Sequence, residues 1–185
     1  MKKYSLFLVL VLLSSAAMAK KVKFSVDMSA QTISPNGVHI AGDFQTIAGY
    51  SGGDWASNTT EMLQEDSSMI YSVIVDIPAF AKYEYKFING DQFYEAEFVP
   101  VESRVGYDFN DNRWLYVDSL NNDTTFVGAI RFAENSPAGK LLVRFYVDMQ
   151  NETVSADGVH LAGNYQGWDA PSNILYNFQN AVYEV

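Results

Sequence analysis

The chain has 185 residues, 48% of them hydrophobic and 18% charged, with a formal net charge of −10 and no cysteine. The apolar content is enough for a packed core and argues against disorder. The negative balance repels phosphate backbones and argues against nucleic acid as a partner, and without cysteine there is no disulfide support.

In chain order, Met1-Lys2-Lys3 is a basic start, followed by the apolar run Leu6 to Leu13 and then small residues up to Ala19. This pattern reads as a secretory signal peptide, residues 1–19, and predicts a secreted or cell-surface protein. The run is far shorter than the ~20 residues a helical membrane span requires, and no later segment approaches that length, so no membrane span is expected.

From residue 20 onward the hydrophobic period is two. Val22, Phe24, Val26 and Met28 alternate with Lys23, Ser25 and Asp27, and Tyr71, Val73, Val75 and Ile77 alternate likewise. In KYEYKFI, residues 82–88, Tyr83, Tyr85 and Phe87 fall on one face and Lys82, Glu84 and Lys86 on the other. Such alternation predicts half-buried strands, with Lys86 pointing outward. Turn signals separate the runs: SPNG at 34–37, GYSGGD at 49–54, Pro78-Ala79 and NGD at 89–91. Short strands at this spacing predict an all-β fold, an antiparallel immunoglobulin-like β-sandwich over residues 20–118. Residues 119–141 read as a linker, with FVGAIRF as one short strand within it.

The stretch 143–166 then restates 22–45 with about half the positions identical: VKFSVDM against VRFYVDM, and VHIAGDFQ against VHLAGNYQ. An internal repeat of this kind implies a second module, residues 142–185. Trp168 matches Trp55 if a loop of about nine residues is inserted in the first copy, and Tyr183 then matches Tyr71. Nothing corresponds to residues 74–117, so the second module is expected to be incomplete and the chain to be the front part of a longer tandem-repeat protein.

The order of segments in the first copy resembles the starch- and glycogen-binding modules of carbohydrate-binding module families 20 and 48. The matching residues are Val38-His39-Ile40-Ala41-Gly42, Trp55, Ile77-Pro78-Ala79, Glu84-Tyr85-Lys86-Phe87 and Asn112-Arg113. The likeness extends to tandem repeats of this type in secreted bacterial proteins. It implies a starch-binding-domain-like sandwich with one ligand site built from Trp55, Lys86 and Phe93 or Tyr94, and a partner polysaccharide of the α-glucan class. Two departures stand out: FYEAE replaces the second tryptophan of the family, and residues 98–113 form an enlarged loop.

The chemistry of such a site is independent of the family. Glucose rings present C–H faces that stack on aromatic surfaces, while hydroxyls bond to amides and ammonium groups at the rim. Gln45 and Asn89 are the candidate hydroxyl partners, and Trp168 is the equivalent platform in the second copy. Each tryptophan has a structural alternative, a plug at the edge of the core, and Lys86 has that of a solvated strand lysine. His39 and His160 lie next to Val within strands and read as structural. The carboxylates Glu95, Glu97, Glu102 and Asp108 lack a cleft deep enough to raise an acid's pKa, so no enzymatic activity is expected. DFNDNRW, residues 108–114, lacks the glycine and terminal glutamate of a calcium loop, and no cofactor or metal is expected. Two rival readings remain: sandwich repeats acting as a structural spacer or adhesin without sugar binding, and the accessory region of an amylase-like enzyme.

Overall fold

The computed structural model describes residues 19–105, 110–117, 124–126 and 128–185. The signal peptide read from residues 1–19 lies, Ala19 apart, outside the described residues. The chain is all-β. Strand β1 (Ala19–Asp27) pairs along its whole length with β4 (Ile70–Pro78), antiparallel, from Ala19 opposite Pro78 to Asp27 opposite Ile70. Strand β2 (Val38–Gly42) lies between β3 (Glu61–Gln64) and β5 (Ala81–Ile88), and β6 (Arg113–Val117) follows on the outer edge of β5.

The curl of the sheet comes from β3. Its first two residues pair with β2, Met62 opposite Val38, and its last two with β4, Leu63 opposite Ser72. A strand that changes partners midway turns the corner between two layers, which brings the inner faces of both together as in a β-sandwich. Between those faces lie Val22, Phe24, Val26, Met28, Ile40, Phe44, Tyr85 and Phe87, each almost wholly buried. Phe24 is the centre of this core, stacked on Phe44 at 5.2 Å and edge-on to Tyr85 at 4.8 Å. Burying one such ring stabilises the fold by roughly 1.5–3 kcal/mol.

Residues 119–141 contribute more than a connection. Strand β7 (Thr124–Phe126) and β8 (Ile130–Arg131) both run parallel to β1, a departure from a purely antiparallel sheet. Ile130 is buried in the first core and Phe132 packs against it.

A second sheet comprises β9 (Tyr146–Asp148), β10 (Val159–His160), β11 (Ile174–Gln179) and β12 (Val182–Glu184), in the order β10-β11-β12-β9. This is the order β2-β3-β4-β1 of the first sheet. The registers also correspond: Val159 faces Leu175 where Val38 faces Met62, and Val147 faces Tyr183 where Val26 faces Tyr71. The two units meet through outward residues. Tyr176 stacks on Tyr116 at 3.6 Å, and the Arg144 guanidinium lies 5.0 Å from the Trp114 ring and 5.1 Å from that of Tyr146. Arg144 also donates to Arg104 O at 2.6 Å and pairs with Glu184 at 2.5 Å.

Candidate functional site

Trp55 sits at the tip of the loop between β2 and β3 with φ 63°, a left-handed conformation that costs a bulky residue energy and therefore needs support. Its backbone N–H donates to Gly42 O at 3.1 Å. Behind it, the Gln45 side chain holds the loop in shape. Its Oε1 accepts from Gly42 N at 3.2 Å, and its Nε2 donates to Ala56 O, Thr59 Oγ1 and Thr60 Oγ1 at 2.9–3.0 Å. Gln45 is fully buried, so it is a structural clamp and presents nothing to a ligand.

Phe93 and Tyr94 lie on a short 3₁₀ turn (Phe93–Glu95) after β5. The turn is fixed by Glu95, whose Oε2 accepts from Asp91 N at 3.0 Å and Gln92 N at 2.9 Å. At Gly90, φ 145°, an added Cβ would lie 2.1 Å from that carboxylate, so only glycine fits. Ser57 Oγ donates to Asp91 O at 2.7 Å and fastens the tryptophan loop to this turn, a link that no feature of the sequence announces. As a result, the Trp55 and Phe93 rings meet edge-to-face, 6.4 Å apart at 81°. Phe93 is 50% exposed and Tyr94 85%, while Trp55 is half-buried.

The remaining sequence candidates lie elsewhere. Lys86 is on the outward face of β5 as expected, but it is 7% exposed and pairs with Asp111 at 2.8 Å. The cover comes from the described parts of the enlarged loop, 98–105 and 110–113, where Val99 and Val105 are buried and Asn110 and Asn112 bind Glu84. Asn89 is tied down as well, accepting from Ser34 N at 3.0 Å and donating to Thr32 O at 2.9 Å. Trp168 repeats the device of Trp55, with φ 65° and its N–H donating to Gly163 O at 2.8 Å, but on the second sheet, where it is 70% exposed. Gln166 stands to it as Gln45 does to Trp55, accepting from Gly163 N at 3.1 Å and donating to Asp169 O at 2.8 Å.

The acidic residues divide by environment. Burial pushes the Asp43 carboxyl up to about 6. Burial also acts to raise Glu84, but Lys82, Asn112 and Asn110 bind it and leave it below the ordinary glutamate value. The Lys86 ammonium holds Asp111 below its usual range. Glu97 is buried against Arg113, and Glu95 serves the turn described above. Asp108 lies outside the described residues. His39 donates from Nδ1 to Gly90 O at 2.7 Å, in keeping with a structural role. Among the described residues no cluster of His, Cys, Asp and Glu could hold a metal ion, and no helix is long and apolar enough to cross a membrane.

The chain matches no family model and no curated protein.

Proposed function

We propose that the protein is a non-catalytic carbohydrate-binding protein of the secreted or cell-surface class, built from tandem β-modules, and that α-glucan is its ligand. The observation that carries this reading is the union of Trp55 with the turn 93–95. Two loops distant in sequence are fastened by Ser57 and Asp91 so that an aromatic pair forms, and the turn that supplies Phe93 also carries the exposed Tyr94. Strained backbone at a half-exposed tryptophan is a feature that binding sites concentrate, and a shallow aromatic surface suits the C–H face of a sugar. The rim groups are Asn36, Asp91 and Gln92, joined to one another by Asp91 Oδ1 and lying at the surface. Lys86, Gln45 and Asn89 take no part.

One observation favours the rival reading of a spacer. All three polar side chains named from sequence as ligand partners bind within the protein, which suits a module whose loops serve its own stability.

The test is co-sedimentation of the chain with insoluble starch, with cellulose as the control polymer, beside Trp55→Ala and Phe93→Ala. Selective retention on starch that falls at least tenfold in both variants, with unchanged far-ultraviolet circular dichroism, supports the α-glucan reading. No retention on either polymer by the folded protein overturns it in favour of the spacer.

A further inference from the structure

The tryptophan loops of the two units are built alike but charged differently. In each, the tryptophan has a left-handed backbone, and its N–H donates to the carbonyl of the glycine that ends VHIAG or VHLAG, Trp55 to Gly42 and Trp168 to Gly163. In the first unit two acids flank that bond: Asp43 follows Gly42, and Asp54 precedes Trp55. In the second unit the same places hold Asn164 and Gly167. The acid of that loop, Asp169, follows its tryptophan and is exposed.

Asp43 is half-buried and is fixed to β5 by both backbone and side chain. Its N–H donates to Glu84 O at 3.1 Å, and its Oδ1 accepts from Glu84 N at 2.9 Å. The Gly42–Asp43 peptide therefore joins β5 through its N–H and Trp55 through its carbonyl. Asp54 is exposed, and its Oδ1 accepts from Thr46 N at 2.7 Å, which ties the loop to the chain just after β2. The charged and titratable groups that face Asp43 are Lys82, Tyr83 and Glu84 of β5 and Asp54 of the loop. Lys82 pairs with Glu84, whose carboxylate also takes Asn110 and Asn112. An ionised Asp43 thus meets two other carboxylates at a partly buried strand end, where like charges repel more strongly than in water. Glu84 is held by its strand and its three partners, so Asp54, on the exposed loop, is the one that can yield.

We propose that Asp43 is a proton-controlled latch on the Trp55 loop. Protonated, it leaves the loop seated, with the Trp55 N–H on Gly42 O. Ionised, it repels Asp54 and weakens both that bond and the contact of Trp55 with Phe93. The Trp168 loop, with Asn164 and Gly167 in place of these acids, has no such latch. Burial above all, joined by the Glu84 and Asp54 charges and opposed by the Glu84 N–H and Lys82, raises the Asp43 pKa from 3.8 to about 6. The seated loop therefore favours the proton. By linkage the seating is strongest below about 4 and is lost as pH rises through about 6. The latch is read without any ligand, and only its effect on sugar retention rests on the α-glucan reading.

The test follows the indole and backbone N–H resonances of Trp55 and Trp168 in the full chain from pH 4.5 to pH 8, together with amide hydrogen exchange corrected for its intrinsic pH dependence. A single titration of Trp55 with a midpoint of about 6 is expected. Trp55 amide protection should fall roughly fivefold or more between pH 5 and pH 7.5, with no change at Trp168. Asp43→Asn should hold Trp55 at its low-pH protection throughout. Asp54→Asn, at an exposed position, keeps an oxygen for Thr46 N and should lessen the loss, and it decides the matter should Asp43→Asn fail to fold. Constant protection of Trp55, an equal loss at Trp168, or a loss that persists in full in every folded variant overturns the latch. So does a shift of the Trp55 resonances without a change in protection, which reports only the nearby charge. Starch retention at pH 5 and pH 7.5 is a separate readout: no retention at either pH overturns the sugar reading and leaves the exchange result to decide the latch.

Discussion

Arg113 and Glu97 form a two-pronged ion pair in the interior, Nε to Oε1 at 2.8 Å and one terminal nitrogen to Oε2 at 2.6 Å, with both residues almost wholly buried. Glu97 also accepts from Phe87 N and Ala133 N, each at 3.0 Å, and Arg113 donates to Glu134 O at 2.7 Å. One pair therefore ties β5, β6 and the segment after β8. Burial alone would lower the Arg113 pKa, but Glu97 beside it leaves it raised.

Arg113→Met should therefore be among the most damaging single changes. It leaves the Glu97 carboxylate buried without its partner, a situation that costs about 3–5 kcal/mol. Urea unfolding of the variant beside wild type measures this. A loss under 1 kcal/mol would mean that water reaches Glu97.

Asp43 predicts a pH dependence. Its folded pKa of about 6 lies above the ordinary 3.8, so the folded state holds the proton more tightly than the unfolded chain does. The contribution is favourable at low pH and is lost as pH rises from about 4 to about 6. Asp43→Asn keeps an oxygen for the bond from Glu84 N, 2.9 Å in the parent, and removes the charge. Relative to wild type, the variant should gain on the order of 1 kcal/mol at pH 7.5 and nothing at pH 4, the figure being reduced for solvent screening at a half-exposed group. Denaturant midpoints at the two pH values check this.

Lys86 offers a control within the α-glucan proposal. Because Asp111 and the loop over β5 enclose it, Lys86→Met should leave starch retention within twofold of wild type while Trp55→Ala abolishes it. A tenfold loss in Lys86→Met would show that the loop opens to admit ligand.

Ile130→Ala tests whether the stretch after residue 118 belongs to the first core. The side chain is 7% exposed and its strand pairs with β1, so the change should cost about 2–4 kcal/mol and shift the main unfolding transition. A separate, early transition with the main one unmoved would make the segment an independent attachment.

Much of this architecture is legible in the sequence, for definable reasons. Strands β1, β4 and β5 show in their alternation, and Val22, Phe24, Val26, Tyr83, Tyr85 and Phe87 all face the core as the period requires. The likeness of 143–166 to 22–45 is legible too, and the two segments form strands in the same order and register. What alternation cannot disclose is whether the outward face of a strand is covered. Lys86 and Glu84 point away from the core and are nonetheless buried, because Asn110, Asp111 and Asn112, well beyond the end of β5, fold back over them. The signal available was apolar: Val99 and Val105, in a segment read as a loop, pack inward. Gln45 failed as a ligand partner for another reason. Polar residue type suggests a surface, but an amide with both ends engaged, by Gly42 N at one and by Ala56 O and two threonine hydroxyls at the other, can sit at zero exposure. The pairing of Glu97 with Arg113 leaves no trace in local pattern, since it joins positions that only the folded turn brings together.

The junction at Arg144 has a consequence for how two tryptophan loops on one chain would act together. The guanidinium lies between Trp114 and Tyr146 and binds carbonyls of the first unit and a carboxylate of the second, so the connection is a fixed joint where a flexible tether would have been the expectation. A tether lets two weak sites search for a common ligand, whereas a fixed joint sets their separation in advance. If Trp55 and Trp168 both take sugar, the molecule measures as well as binds. A polymer whose own helical repeat matches the set distance would gain both sites at once, and one that does not would be held by a single site however long it is.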